Sequence, residues 1–201
     1  MNRKQIIAIF APLLLTGIMY PVFQYLAGVF GERLGWYFGL VIYWLVWGAA
    51  FSAWMIGKKN IWRIIRPQRL TFGVAVLVLF PVLMSALYRL APGMEYEKPS
   101  FWVLLMLIST TIGNGFFEEV LWRGVYMTLF PENNFLRIVW PSIWFAIWHY
   151  APGSVSTDGN VWGLIIGAAF FGFYLSFLAK KTGTIWWSIL AHFLGGIVMI
   201  F

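Results

Sequence analysis

The sequence predicts an all-α membrane protein: a polytopic bundle of about seven transmembrane helices forming one membrane domain, residues 1–201. Three observations carry this. Apolar residues make up 61% of the chain. Charged residues make up only 10%, against about 25% in soluble domains. Apolar runs of roughly 20 residues, the length that crosses a bilayer, recur with short polar connections and leave no room for a soluble domain. There are no cysteines, so disulfides, thiolate metal sites and cysteine nucleophiles are excluded. The net charge of +7 does not point to nucleic acid, because the basic residues sit between the spans.

Asn2-Arg3-Lys4 precedes a first span from about Ile6 to Val29. It lacks a sensibly placed small-residue cleavage site and is expected to be retained. Pro12 and Pro21 interrupt it, which membrane helices tolerate when neighbours satisfy the freed carbonyls. Gly31-Glu32-Arg33 reads as a loop, and Trp36 to Ile56 as the second span. Gly57-Lys58-Lys59 opens the most basic segment, with Arg63, Arg66 and Arg69, and Pro67 stops any helix there. It reads as a cytoplasmic loop, with a lipid-headgroup or substrate-binding patch as the other reading. The third span is Thr71 to Tyr88. Arg89 to Ser100 is a balanced loop with Pro92-Gly93, Glu95, Glu97 and Lys98.

The fourth helix is long, Phe101 to Leu129, and Pro131-Glu132-Asn133-Asn134 makes the next turn. Leu136 to Tyr150 is the fifth span, ended by Ala151-Pro152-Gly153 and a polar loop containing Asp158. The sixth is Val161 to Ala179, closed by Lys180-Lys181-Thr182-Gly183, and the seventh is Thr184 to Phe201. Gly163 and Gly167 form a small-xxx-small pair suited to close helix contact. With the N-terminus cytoplasmic, the inner side carries Arg3, Lys4, the basic loop, Arg137, Lys180 and Lys181. The outer loops keep only Arg33, Arg89 and Lys98, so every loop obeys the positive-inside rule. An integral, multi-pass protein of the cell membrane is expected.

Inside the fourth span, Phe116-Phe117-Glu118-Glu119-Val120-Leu121-Trp122-Arg123-Gly124 breaks the apolar pattern. A charge at membrane depth costs roughly 2.5–3.5 kcal/mol on insertion scales, so it marks function by default. Glu119 and Arg123 are four apart and share a helix face, so they can pair. Glu118 points about 100° away and is left for other work. The chain has two histidines, and both lie in spans: His149 in the fifth and His192 in the seventh. At about 1.5 Å per residue from the presumed cytoplasmic ends, Glu118, His149 and His192 lie roughly 16, 18 and 13 Å deep. Three ionisable groups on three helices at one depth indicate a site, whereas each alone could be a packed, hydrogen-bonded residue.

A carboxylate in a low-dielectric pocket gains proton affinity, which suits a general base that activates water. Imidazoles can hold that water, donate to an oxyanion or protonate a leaving amine. Peptide hydrolysis needs all of these. Two histidines and one glutamate also match the ligand set of a catalytic zinc, although no His-Glu-x-x-His motif is present. Bis-histidine haem ligation by His149 and His192 is a further reading, disfavoured by the nearby Glu118.

Glu118-Glu119-Val-Leu-Trp-Arg123 resembles the EExxxR signature of the CPBP (Abi) family, which includes the type II CAAX prenyl endopeptidases. Phe145-Ala-Ile-Trp-His149 is similar to that family's FxxxH motif. His192 looks like its third motif, usually HxxxN or HxxxD. The match covers about Thr111 to Ile197, within an expected catalytic core of 101–201. The resemblance implies a CPBP-like all-helical intramembrane endopeptidase whose pocket opens to the cytosolic leaflet and whose substrate is a membrane-anchored peptide or protein. It assigns water activation to Glu118, positioning or oxyanion stabilisation to His149 and His192, and support to Glu119 and Arg123. It favours a metal-free, glutamate-dependent mechanism over a zinc one, for which Glu118, His149 and His192 would be the ligands. Gly196 stands where many members have Asn or Asp, and Asn114, one turn before Glu118, is the substitute amide. That departure argues against CAAX-type prenyl proteolysis and toward another tethered peptide. The alternative function is a non-catalytic membrane scaffold or transporter-like protein using the charges for binding or proton movement.

Overall fold

The computed structural model describes residues 1–91, 98–156 and 160–200. Pro92-Gly93, Glu95, Glu97, Asp158 and the last residue of the seventh expected span, Phe201, lie outside the described residues. Among those described, the chain forms seven principal helices and no strand.

Helix α1, Arg3–Phe30, starts at a reciprocal cap: Gln5 N donates to Asn2 Oδ1 at 2.9 Å and Asn2 N to Gln5 Oε1 at 2.8 Å. Pro12 and Pro21 lie inside it. Only Gly31, at φ +81°, separates it from α2, Glu32–Ile64. Glu32 and Arg33 are therefore helical and not a loop: the positive φ turns the chain in one residue, which a glycine adopts without steric cost. Gly57, at φ +77°, breaks α2 where the basic loop was expected to begin. Residues 58–64 nevertheless resume a short helix, so the loop proper starts later.

Helix α3, Phe72–Arg89, is capped by Thr71 Oγ1, which accepts from Val74 N at 3.3 Å. Helix α4 is Phe101–Leu129. Helix α5 covers residues 135–148, followed by a separate turn, Tyr150–Gly153. Helix α6, Val161–Thr182, begins at an Asn160 cap, and α7, Trp186–Val198, completes the bundle. Helices α1, α2, α3, α4 and α6 are long and apolar enough to cross a membrane. Helices α5 and α7 are shorter than the seven-span expectation required. At about 1.5 Å per residue, each falls short of a hydrocarbon core of about 30 Å. Both pack against longer helices, α5 on α6 and α1, α7 on α3, α6 and α4. Large apolar side chains such as Leu13, Leu79, Trp162 and Phe170 face outward, as in a bundle solvated by lipid. The protein is an integral membrane protein.

Hydrogen bonds gather the basic segments at one end of the bundle. Lys4 Nζ donates to Trp54 O and Met55 O, both at 2.9 Å. Gln5 Nε2 donates to Leu129 O at 2.7 Å. Thr184 Oγ1 donates to Ile64 O at 2.7 Å and lies 2.8 Å from Arg66 O. The N-terminus of α1 and the connections α2–α3, α4–α5 and α6–α7 thus share an end. At the opposite end Gln24 Nε2 meets Ser154 Oγ at 2.8 Å, and Arg89 Nη1 donates to Met199 O at 3.0 Å.

Candidate active site

Helix α4 departs from ordinary α geometry on both sides of the carboxylate pair. Residues Asn114–Glu118 and Val120–Val125 form wide, π-type turns. Such turns are rare and are frequently found at functional sites. Across from them, α7 comes close: a Cβ on Gly115 would stand 3.3 Å from Phe193 Cβ. The small residue lets α7 present His192 to the carboxylates.

Glu118, Glu119 and Arg123 are all buried, with 1, 0 and 1% of their surface exposed. Arg123 Nη1 donates to Glu119 Oε1 at 2.9 Å, the pairing expected from the four-residue spacing. Its Nη2 donates to Gly172 O on α6 at 3.0 Å, and its Cζ lies 4.5 Å from the centre of the Phe145 ring. Buried charges are costly unless paired and hydrogen-bonded, and this guanidinium has a carboxylate, a carbonyl and an aromatic face.

His192 joins both carboxylates. Its Nδ1 is 3.0 Å from Glu119 Oε1, and its Nε2 is 3.8 Å from Glu118 Oε2. Glu118 Oε1 accepts from Trp148 Nε1 at 3.3 Å. Glu118 Oε2 is buried and accepts no protein hydrogen bond. Glu119 Oε2 is likewise buried without a protein hydrogen bond, so the two acids differ at Oε1: that of Glu119 is shared by a guanidinium and an imidazole, that of Glu118 accepts only from the Trp148 indole.

His149 lies at the end of the fifth helix. It is the junction residue between α5 and the turn that follows, and its Nδ1 lies 2.6 Å from Phe145 O. The His149 ring is 4.6 Å from the Phe145 ring, and the His192 ring is 6.4 Å from that same ring. Phe145 thus neighbours both imidazoles. The amide of Asn114 is tied to α2: Trp44 Nε1 donates to its Oδ1 at 2.9 Å. Indole only donates, so Nδ2 is the free end of that amide.

Among the described residues no three His, Asp or Glu side chains converge as a metal-binding group. His149 and His192 each direct Nδ1 to an acceptor, a backbone carbonyl and the Glu119 carboxylate, and leave Nε2 available. An apolar hollow of about 330 Å³ opens between α4 and α7, lined by Ile112, Phe116, Trp186, Ile189, Leu190 and Phe193. Phe116 and Phe193 are near neighbours in sequence of Glu118 and His192.

The structure adds residues that the sequence did not single out: Trp148, Tyr43 and Gly172. Trp148 directly precedes His149, which was its only local signal. Tyr43 and Gly172 lie on helices without a recognised motif. Gly163 and Gly167 do not make the expected helix contact, since Gly163 abuts its own Asn160 cap and Gly167 has open space around it. Gly172 makes that contact instead; a Cβ there would stand 3.1 Å from Phe145 Cδ1 and 3.3 Å from Ser142 O.

Residues 100–198 match the family model described as Type II CAAX prenyl endopeptidase Rce1-like. No curated protein and no solved structure matches the chain. The matched stretch contains Glu118, Glu119, Arg123, His149 and His192 in the order that the three short motifs require. The chain belongs to the type II CAAX prenyl endopeptidase Rce1-like family, within the CPBP group of membrane proteases.

Proposed function

We propose that the protein is an intramembrane endopeptidase that hydrolyses a peptide bond of a membrane-tethered peptide or protein, with Glu118 as the base that activates water. One observation carries this reading: Glu118 is buried, its Oε1 accepts only from Trp148 and its Oε2 lies 3.8 Å from His192 Nε2, whereas Glu119 Oε1 is held by both Arg123 and His192. A buried, singly held carboxylate beside an imidazole has the geometry of a general base.

Both histidines meet acceptors through Nδ1: a carboxylate for His192 and a carbonyl for His149. Each therefore donates from Nδ1 and, as a neutral ring, keeps Nε2 as a lone-pair acceptor. Held through Nδ1, each ring turns Nε2 toward the site, where it positions the water or, when protonated, donates to the oxyanion. The Nδ2 of Asn114 is the donor proposed for the oxyanion. Glu118 Oε2 takes a proton from water as the water oxygen attacks the scissile carbonyl carbon. The tetrahedral oxyanion then collapses, the C–N bond breaks, and the proton passes from Glu118 to the leaving amine.

The apolar hollow lined by Phe116 and Phe193 supports a substrate that carries a lipid or apolar anchor, since it opens on the lipid-facing side between the two helices that carry Glu118 and His192. The reading places the site toward the cytoplasmic leaflet, with the N-terminus cytoplasmic, on the charge asymmetry of the loops.

The test is cleavage of a membrane-tethered peptide by purified, reconstituted protein. Glu118→Gln keeps an oxygen for the Trp148 indole and loses the base. It is expected to lower cleavage at least 100-fold with an unchanged unfolding midpoint. Normal cleavage by that variant overturns the role of Glu118 and returns the buried charges to a binding, scaffold or proton-carrying part.

A further inference from the structure

We propose that Trp148 is a positioning residue for Glu118: its indole N–H holds one carboxylate oxygen so that the other faces His192 and the water to be activated. This rests on the reading of Glu118 as the base. Trp148 has none of its surface exposed. Its only polar group meets Glu118 Oε1 at 3.3 Å. An indole N–H donates and never accepts, so it fixes which oxygen is engaged without adding charge.

The indole is itself held. Tyr43 on α2 stacks on it with ring centres 4.1 Å apart and planes 23° apart, and Phe23 on α1 tilts against it at 6.0 Å. Tyr43 is fixed in turn by Trp122, whose Nε1 donates to Tyr43 OH at 2.8 Å. Trp122 lies four residues after Glu118 on α4. The chain Trp122–Tyr43–Trp148–Glu118 therefore leaves α4, crosses α2 and α5, and returns to α4 one turn away. Each member is buried, so the ring of contacts leaves the carboxylate little rotamer freedom. The 3.3 Å separation is long for an N–H···O⁻ bond, and such bonds tighten when the reaction complex forms.

The charged and titratable groups facing Glu118 are Glu119 and Arg123 on its own helix, His192 on α7, Tyr43 on α2 and, just past the end of α5, His149 beside Phe145. None of these changes when Trp148 loses its donor, so a pH profile isolates the indole's contribution.

The experiment compares Glu118→Gln, Trp148→Phe, and protein carrying 3-benzothienylalanine at position 148, which replaces the indole N–H by sulfur and preserves the stack on Tyr43. All are reconstituted and assayed on one membrane-tethered peptide. The donor-less proteins are expected to show kcat about ten-fold lower and KM within two-fold of the parent. The acid limb of their kcat profile should lie at higher pH, because a lost donor disfavours the ionised carboxylate. Their unfolding midpoints should match the parent, and the benzothienyl protein decides should Trp148→Phe misfold. If Glu118→Gln is inactive while the benzothienyl protein keeps parental kcat and pH profile, the role of Trp148 falls and that of Glu118 stands. If Glu118→Gln is active, both fall.

Discussion

His192 Nδ1 and Glu119 Oε1 lie 3.0 Å apart, so the imidazole of α7 rests on the carboxylate that neutralises Arg123 on α4. This makes Glu119 the structural member of the acid pair. Removing its charge strands a buried guanidinium, a change that costs about 3–5 kcal/mol in comparable buried pairs. Glu119→Gln is therefore expected to lower the unfolding midpoint in detergent well below the parent's. Glu118→Gln should stay within about 1 kcal/mol of it, because Glu118 neutralises no cation directly. Equal destabilisation by the two would remove the distinction.

Asn114 carries a separate expectation. Its Oδ1 serves Trp44, and only Nδ2 can turn to a substrate. Asn114→Asp keeps the acceptor for Trp44 and deletes the donors. With Nδ2 as the oxyanion donor, kcat should fall about 100-fold, as for other single donors, with KM little altered. Parental kcat in Asn114→Asp would reduce the residue to a link between α2 and α4.

The parts of this architecture written in local spacing were readable from the chain. Apolar runs marked the helices, and the four-residue interval between Glu119 and Arg123 marked their ion pair. What escaped depends on how helices meet. His149 reads as lying near the end of the fifth span, and α5 does end beside it; the further turn Tyr150–Gly153 has no local signal. Trp148 and Tyr43 are 105 positions apart and meet only once α5 lies against α2. The glycine at a helix contact was sought in the nearest small-xxx-small pair, Gly163 and Gly167. The contact uses Gly172 with Ser176, whose hydroxyl lies 3.2 Å from that of Ser142. Spacing identifies a face that permits close approach, but the partner helix decides which such face is used.

That contact gives a paired prediction. At Gly172 a methyl would press on Phe145 and on the Ser142 carbonyl, and would push α6 away from the Arg123 donor. Gly172→Ala should destabilise by about 1–3 kcal/mol, the usual cost of overpacking, and should lower activity. Gly167→Ala meets nothing within 4 Å and should change stability by less than about 1 kcal/mol. Thermal unfolding in detergent distinguishes them. A neutral Gly172→Ala would mean that α6 can retreat without loss.

Gly196 stands where the resemblance places an amide or acid, and its small size has a reason in the packing of α7 on α4. A Cβ there would stand 2.8 Å from Thr111 Cγ2 on α4. That distance is too short for two carbons, so α7 approaches α4 closely at the price of a side chain. Gly196→Asn should therefore destabilise by about 1–3 kcal/mol before any amide can assist the reaction. Thr111→Ser removes the opposing methyl and retains the hydroxyl that donates to Leu107 O at 2.9 Å. The double variant should recover most of the loss, a coupling expected between residues in direct contact. Unfolding midpoints of the two single variants and the double complete the cycle. Strict additivity would show that the methyl of Thr111 is not what excludes a side chain at position 196.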